Sequence, residues 1–396
     1  MSSAKMKREG WREVKLGEVS EINPPQFIDK NTKAKKVTME NLIPFTKRIS
    51  GHTTGIYKGG SKFRNGDTLV ARITPCLENG KTAFVNFMES GEIGFGSTEF
   101  IVIREKKRLT DKEFLYYLTL SKDFRDMAVK SMTGSSGRQR VVIDKVLKYE
   151  ISLPPLPEQK AIAEVLSSLD DKIDLLRRQN KTLENMAQTL FRKWFVEDAD
   201  ERWESCSIED LCIRVASGGT PSTKREDYYD GNIDWYSTKE LKDNFLFESQ
   251  VKITSAGLKN SSAKIFPRGT IVIAIYAAPT VGRLGILANN ATFNQAACGL
   301  VADNTICCKE FLYLYLKEAR ESLNAIASGS AQQNLNVAKI KKYPAFKPRG
   351  DIMQKFNYIV SPLFDRIEYN GHQICTLENL RDTLLPKLMS GEVKPS

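Results

Sequence analysis

Histidine is almost missing from this chain: His52 and His372 are the only two in 396 residues. They cannot by themselves build a histidine metal site or a nucleophile–histidine–acid triad. Cysteine gives them no help. The seven cysteines are scattered without CxxC spacing, which argues for reduced thiols and against a disulfide frame or a zinc site. No run of about 18 apolar residues is present, so no membrane span is expected. The opening MSSAKMKREGW has no apolar stretch of the secretory kind, and a cytoplasmic location is expected. Glycine-rich phosphate loops are missing too. Gly94-Phe95-Gly96 has no third glycine, and Gly80-Lys81-Thr82 resembles the end of a phosphate loop with Pro75 where its first glycine is needed. No catalytic residue, metal or cofactor of its own is expected.

What is present is an ordinary globular composition, 41% hydrophobic and 27% charged, with a net charge of +11. Residues 1–150 carry 28 Lys+Arg against 18 Asp+Glu, or +10. The counts are 7 against 8 for 151–198, 17 against 16 for 199–346, and 7 against 6 for 347–396. The excess therefore lies in the first globular segment. It suggests a polyanion partner, with a plain solvated basic surface as the bland alternative. A second reader of nucleic acid would have to use clustered rather than net charge.

The chain also contains one helix twice. Thr182–Lys193 (TLENMAQTLFRK) and Thr376–Lys387 (TLENLRDTLLPK) share seven of twelve positions at an offset of 194. The match extends outward. Trp11 (WREVKLGEVSEI) pairs with Trp203 (WESCSIEDLCIRV), Arg64–Val70 with Arg268–Val272, and EFLYYL from Glu113 with EFLYL from Glu310. GSSGRQRVVIDKVLKY from Gly134 pairs with GSAQQNLNVAKIKKY from Gly329. Between these anchors the loops differ, as expected of one scaffold with two targets. Short β-branched runs at Thr68–Ile73, Phe100–Arg104, Thr270–Tyr276 and Ala297–Val301 read as strands.

After SLPPLP (Ser152–Pro157), Pro157 and Glu158 suit the first turn of a helix. Apolar residues then alternate steps of four and three. One ladder runs Ile162, Leu166, Leu169, Ile173, Leu176, Asn180, Leu183, Ala187, Leu190, Trp194. The other runs Phe356, Val360, Leu363, Ile367, Asn370, Ile374, Leu377, Arg381, Leu384, Leu388. Either stripe could pack on its own globular segment; two 3.5-periodic stripes favour a coiled coil with each other. Each ladder holds one asparagine, at positions that do not align in the repeat. Parallel pairing would set each amide against an apolar residue, whereas antiparallel pairing about position 178 sets Asn180 against Asn370. That choice saves about 1–3 kcal/mol per buried amide. The expected fold is α+β: two mainly β segments, each followed by a long helix, with the helices in an antiparallel coiled coil and an internal pseudo-two-fold repeat. The expected divisions are 1–154, 155–198, 199–348 and 349–396.

Three stretches carry a family resemblance. Leu153–Phe195 resembles the central conserved region of type I restriction–modification specificity subunits. Ser217–Leu241 (SGGTPSTKREDYYDGNIDWYSTKEL) resembles the start of a target recognition domain of that family, and Thr376–Val393 is similar to its distal conserved region. The resemblance implies two target recognition domains, 1–154 and 199–348, that read an asymmetric bipartite site in double-stranded DNA. It implies a non-catalytic chain that directs two methyltransferase subunits to N6-adenine methylation, and restriction/translocase subunits to cleavage. S-adenosylmethionine and ATP would sit in those partners. Asn23-Pro24-Pro25 resembles a motif of adenine methyltransferases, but Gln26 stands where that motif has an aromatic, so it reads as a loop. The seam 162–194 would span roughly 50 Å, or about 15 base pairs. The alternative function is a coiled-coil scaffold that binds protein partners and has no specific DNA target.

Long polar donors in loops are the residues expected to meet DNA. In the first segment these are Lys33, Lys35, Lys36, Lys58, Lys62 and Arg72, with Ser135, Arg138, Gln139 and Arg140 of the Gly134 loop. In the second they are Thr220, Ser222, Thr223, Lys224, Arg225, Tyr276 and Arg283, with Gln332, Gln333 and Asn334 of the Gly329 loop. The bland alternative for both glycine–serine loops is a solvated turn. Trp235 and Tyr236 read as core rather than as stacking platforms, and Trp194 and Phe195 as domain packing. Asp170, Asp171, Lys172, Arg177 and Arg178 read as an outer helix face, either solvated or, as the family resemblance implies, part of the surface given to the methyltransferase subunits.

Overall fold

The computed structural model describes residues 10–135, 137–200, 202–276, 280–328 and 335–395. The chain forms two compact units, Met1–Leu175 with Thr376–Ser396, and Leu176–Cys375.

In the first unit, Arg12–Lys15 pairs antiparallel with Glu150–Leu153, closing the globular segment just before the first long helix. A four-stranded antiparallel sheet runs in the order Ser20–Ile22, Phe100–Glu105, Thr68–Ala71, Thr82–Phe84. Its strands are short apolar runs because both faces are covered. Leu69, Ala83, Phe100 and Val102 point into a core shared with Val37 and Phe63 of the smaller sheet. That sheet runs Thr53–Ile56, Lys33–Val37, Gly94–Gly96, Ser61–Phe63. Val70, Phe84, Ile101 and Ile103 point the other way, toward the helix Lys112–Leu120. Asp111 caps that helix by accepting from the backbone N–H groups of Glu113 and Phe114. Beside the sheet, Arg104 donates from two nitrogens to the Asp67 carboxylate, both at 2.7 Å and both residues buried.

The first long helix, Leu156–Arg192, adds Ile162, Ala163 and Leu166 to this core, and the second, Gly350–Met389, adds Leu385 and Leu388. Between them Arg381 donates to Asp170 at 2.8 Å, and the Tyr117 hydroxyl donates to the same carboxylate at 2.7 Å. Asp170 therefore does not lie on a solvated outer face as the sequence suggested: it is 5% exposed, while Leu169 is only partly buried. An α-helix of 3.6 residues per turn drifts by about 20° per heptad against a 3.5 repeat. That drift carries the buried face from Leu166 to Ser167 and Asp170, where a partner on each side satisfies the charge.

The second unit repeats the plan. Glu204–Ser207 pairs antiparallel with Pro344–Lys347. Its main sheet runs Cys212–Ser217, Ala297–Ala302, Ile271–Ala274, Leu284–Leu287, then Asn244–Leu246 added parallel at the edge. A three-stranded sheet of Val251–Ile253, Tyr229–Tyr236 and Thr292–Phe293 lies beside it. The helix Lys309–Glu318 and the long-helix residues Ala187, Phe191, Phe195, Phe356, Val360 and Phe364 complete one core. Phe191 and Phe195 are buried here, whereas the seam residues Leu190 and Trp194 are only partly so, a second effect of the drift. The two helix segments run antiparallel: Trp194 meets Phe356 with ring centroids 6.0 Å apart, and Asn370 Nδ2 donates to Asn180 Oδ1 at 2.8 Å. Asn180 Nδ2 in turn donates to the Ile367 carbonyl at 3.3 Å. In each unit the two helix segments thus pack on each other and on that unit's globular core together. None of the seven cysteines is in a disulfide, and burial pushes the Cys212, Cys298 and Cys308 thiols up to about 12.

Candidate nucleic-acid interface

In the first unit the loop after Thr133 folds back on itself. Thr133 and Arg140 exchange backbone hydrogen bonds at 3.0 and 2.9 Å, and Gly134 (φ 125°) and Gly137 (φ 77°) take backbone shapes that side chains disfavour. The loop then clamps onto the end of a sheet strand. Thr74 N–H donates to the Gln139 carbonyl at 3.1 Å, and Val141 N–H donates to the Arg72 carbonyl at 2.9 Å. Arg72 N–H donates to the Glu99 carbonyl at 2.8 Å, so three loops meet at one corner. Arg72, Ser135, Arg138, Gln139 and Arg140 are brought together there, and Ser135, Arg138 and Arg140 are exposed. Arg140 makes a bidentate contact with Glu99, with Nε 3.0 Å from both carboxylate oxygens and one terminal nitrogen 2.7 Å from Oε1. This contact holds the Glu99 carboxyl below the usual carboxylate range against the opposing effect of burial, and Arg72 adds to it.

The lysines form a second group on the smaller sheet. Lys33 and Lys36 lie on one strand and Lys58 on the turn that follows its neighbour; all three are exposed and, among the described residues, make no ion pair. Lys35 is held by Glu92 at 2.7 Å. Lys62 donates to the Gln26 carbonyl and lies over the Tyr57 ring, 5.6 Å from its centroid. Lys35 and Lys62 thus have internal work, leaving Lys33, Lys36 and Lys58 as the cations of this group open to a polyanion.

In the second unit, Gly218 and Gly219 let a loop approach the sheet closely. A Cβ on Gly218 would lie 2.0 Å from the Phe293 carbonyl oxygen, and one on Gly219 would lie 2.2 Å from the Ser262 backbone. The Trp235 indole donates to the Gly219 carbonyl at 2.9 Å, and the Tyr229 hydroxyl donates to the Pro221 carbonyl at 2.7 Å. The loop is thereby pinned with Ser222, Thr223, Lys224 and Arg225 exposed. Thr220 bonds to the exposed Gln295 side chain, and Arg225 is paired with Asp227 at 2.8 Å and lies over the Tyr228 ring. Tyr276 is 36% exposed and Arg283 half-buried. Arg283 takes the place that Lys81 takes in the first unit: Ala274 N–H donates to its carbonyl as Ala71 N–H donates to that of Lys81. Gln332, Gln333 and Asn334 lie outside the described residues.

Sequence reasoning missed the turn that leads into the central strand of each sheet. It holds Ser97, Thr98 and Glu99 in one unit and Asn294, Gln295 and Ala296 in the other. The equivalence is structural: Arg72 N–H donates to Glu99 as Ile275 N–H donates to Ala296, both at 2.8 Å. The Asn294 Oδ1 atom is buried there without a hydrogen-bond partner. Continuing the repeat alignment into the loops would have found this pair of turns.

Residues 8–185 and 200–379 each match the type I restriction modification DNA specificity domain. The chain belongs to the type I restriction–modification specificity family. This specificity subunit is 24% identical to the HindI specificity subunit of Haemophilus influenzae, over 97% of this chain and 99% of that one. It is 28% identical to the MjaIX specificity subunit of Methanocaldococcus jannaschii, over 71% and 69% of the two chains. Its fold is similar to that of the S subunit from M. genitalium, with a TM-score of 0.59 at 16% identity over 97% and 98% of the chains. Among the described residues of the subunit, no group of three His, Cys, Asp or Glu is placed to hold a metal. No helix among the described residues is long and apolar enough to cross a membrane. What the two loop clusters offer chemically is hydrogen-bond donors, suited to phosphate oxygens and base edges.

Proposed function

We propose that this subunit reads an asymmetric, bipartite site in double-stranded DNA, one half with each repeat. It lends that specificity to two methyltransferase subunits for N6-adenine methylation, and to restriction/translocase subunits for cleavage. The observation that carries the reading is a scaffold built twice whose equivalent loops differ in chemistry: arginines about Glu99 in one copy, Thr220 and Gln295 beside a tryptophan-pinned loop in the other. In this reading the chain is itself non-catalytic, and S-adenosylmethionine and ATP belong to the partner subunits. Lys33, Lys36, Lys58, Lys224 and Arg138 serve as phosphate contacts, and the loop corner at Glu99 in one copy and the Thr220–Gln295 pair in the other carry base recognition.

The test is methylome sequencing of cells that hold the methyltransferase partner, with and without this gene. N6-methyladenine in a gapped, asymmetric motif should vanish with the gene. A methylome in which no motif changes would sink the reading.

A further inference from the structure

The Arg140–Glu99 pair carries more than charge neutralisation. A guanidinium has five N–H donors in a fixed plane. Glu99 takes the side edge, Nε and one terminal nitrogen, at 2.7–3.0 Å. That leaves the end edge, formed by both terminal nitrogens, able to address the O6 and N7 acceptors of guanine. Side-edge pairing alone is ordinary: Arg202 with Asp200 and Arg349 with Asp351 show it between residues two apart. Arg140 differs because its carboxylate comes from 41 positions away, on another loop, which fixes the guanidinium relative to the sheet. The Arg140 side chain is still 47% exposed, against 21% for Glu99. A carboxylate on a surface that faces phosphates is unfavourable in itself; here Arg72 lies beside it as well, so the cluster stays net positive. The second unit has Ile275 and Ala296 at the positions of Arg72 and Glu99, so the arrangement belongs to the first repeat alone.

We propose that Glu99 is a specificity-determining positioning residue: it holds Arg140 so that the guanidinium's end edge reads the guanine of one G·C pair in the first half-site. The inference rests on the reading that each repeat recognises one half-site. The full subunit, co-expressed with its methyltransferase partner in a host free of other adenine methylation, provides the test, with the motif read by methylome sequencing. In Glu99→Ala, discrimination at one guanine position should fall by about 10-fold or more, while the other half-site stays unchanged. Arg140→Lys should relax the same position, because an ammonium keeps the charge but cannot make the bidentate contact. The double variant should do no more than either alone, since both act through one contact. An unchanged motif in both variants overturns the proposal. So does a uniform fall in methylation with the motif intact, which is what a phosphate contact would give. A wild-type chain that directs no methylation at all would instead overturn the reading beneath it.

Discussion

Glu113 lies in the first turn of its helix, where a negative charge complements the helix N-terminus. The Lys47 ammonium meets it at 2.7 Å and the Ser167 hydroxyl of the first long helix at 3.0 Å, and Ser167 also bonds to the carboxylate. One side chain thus ties a globular loop, a sheet-packing helix and the long helix together. Burial alone would raise the Glu113 pKa, but the hydrogen bonds from Lys47 and Ser167 outweigh it and hold the carboxyl below the ordinary range. A carboxylate depressed in the folded state contributes stability that is present above its unfolded pKa of about 4.3. That contribution is lost as pH falls through the lower folded value. Glu113→Gln should therefore lower stability at pH 7 and make it less sensitive to acid below about pH 4.3. Denaturant melts across that range check both signs; an equal drop at all pH values would mean that packing, not ionisation, is what the variant lost.

At the scale of elements, the two copies comment on each other. Arg104 and Asp67 form a buried bidentate pair in the first sheet, whereas strand register puts Val301 and Thr270 at these positions in the second. The scaffold therefore accommodates both solutions. Removing one member, as in Arg104→Val, leaves a buried charge alone and should cost about 3–5 kcal/mol. The double change Asp67→Thr with Arg104→Val, which installs the second copy's pair, should recover most of that loss in urea unfolding. A double variant as unstable as the single one would show that the sheets are not interchangeable. Much at this scale was legible in advance. The strands at Thr68, Phe100, Thr270 and Ala297 and both long helices follow from apolar period and turn residues. The antiparallel direction follows from two asparagines that no parallel register could pair. Asp170 was not legible, because its burial depends on Tyr117, 53 positions away, and Arg381, 211 away. Glu99 was missed for the same reason. A lone acid in a turn declares nothing until the fold brings Arg140 to it, and lysines such as Lys35 look open until Glu92 is seen beside them.

At the scale of the whole molecule, duplication has left two helices that are similar but not equivalent. In the second unit Asn370 is fully buried and gives its amide to Asn180, while its own Oδ1 has no hydrogen-bond partner. In the first unit Arg381 satisfies Asp170. The repeat offset of 194 aligns Asn370 with Leu176 and Arg381 with Ala187. A chain ending near Val196 could dimerise through its single helix, but an antiparallel pair of identical copies would set each Asn180 against Leu176. It would also set each Asp170 against Ala187, with no cation to meet it. Such a dimer should be weak. One substitution separates the two contexts by sign. Asn180→Leu in the full chain strips the buried Asn370 amide of its acceptor and should destabilise by about 1–3 kcal/mol. In the truncated chain the same change replaces an unpaired amide with a leucine facing a leucine, and should tighten the dimer. Thermal melts of the full chain and sedimentation equilibrium of the truncated one give the two signs. A substitution that moved both in the same direction would mean that the asparagines do not set the register of the helix pair.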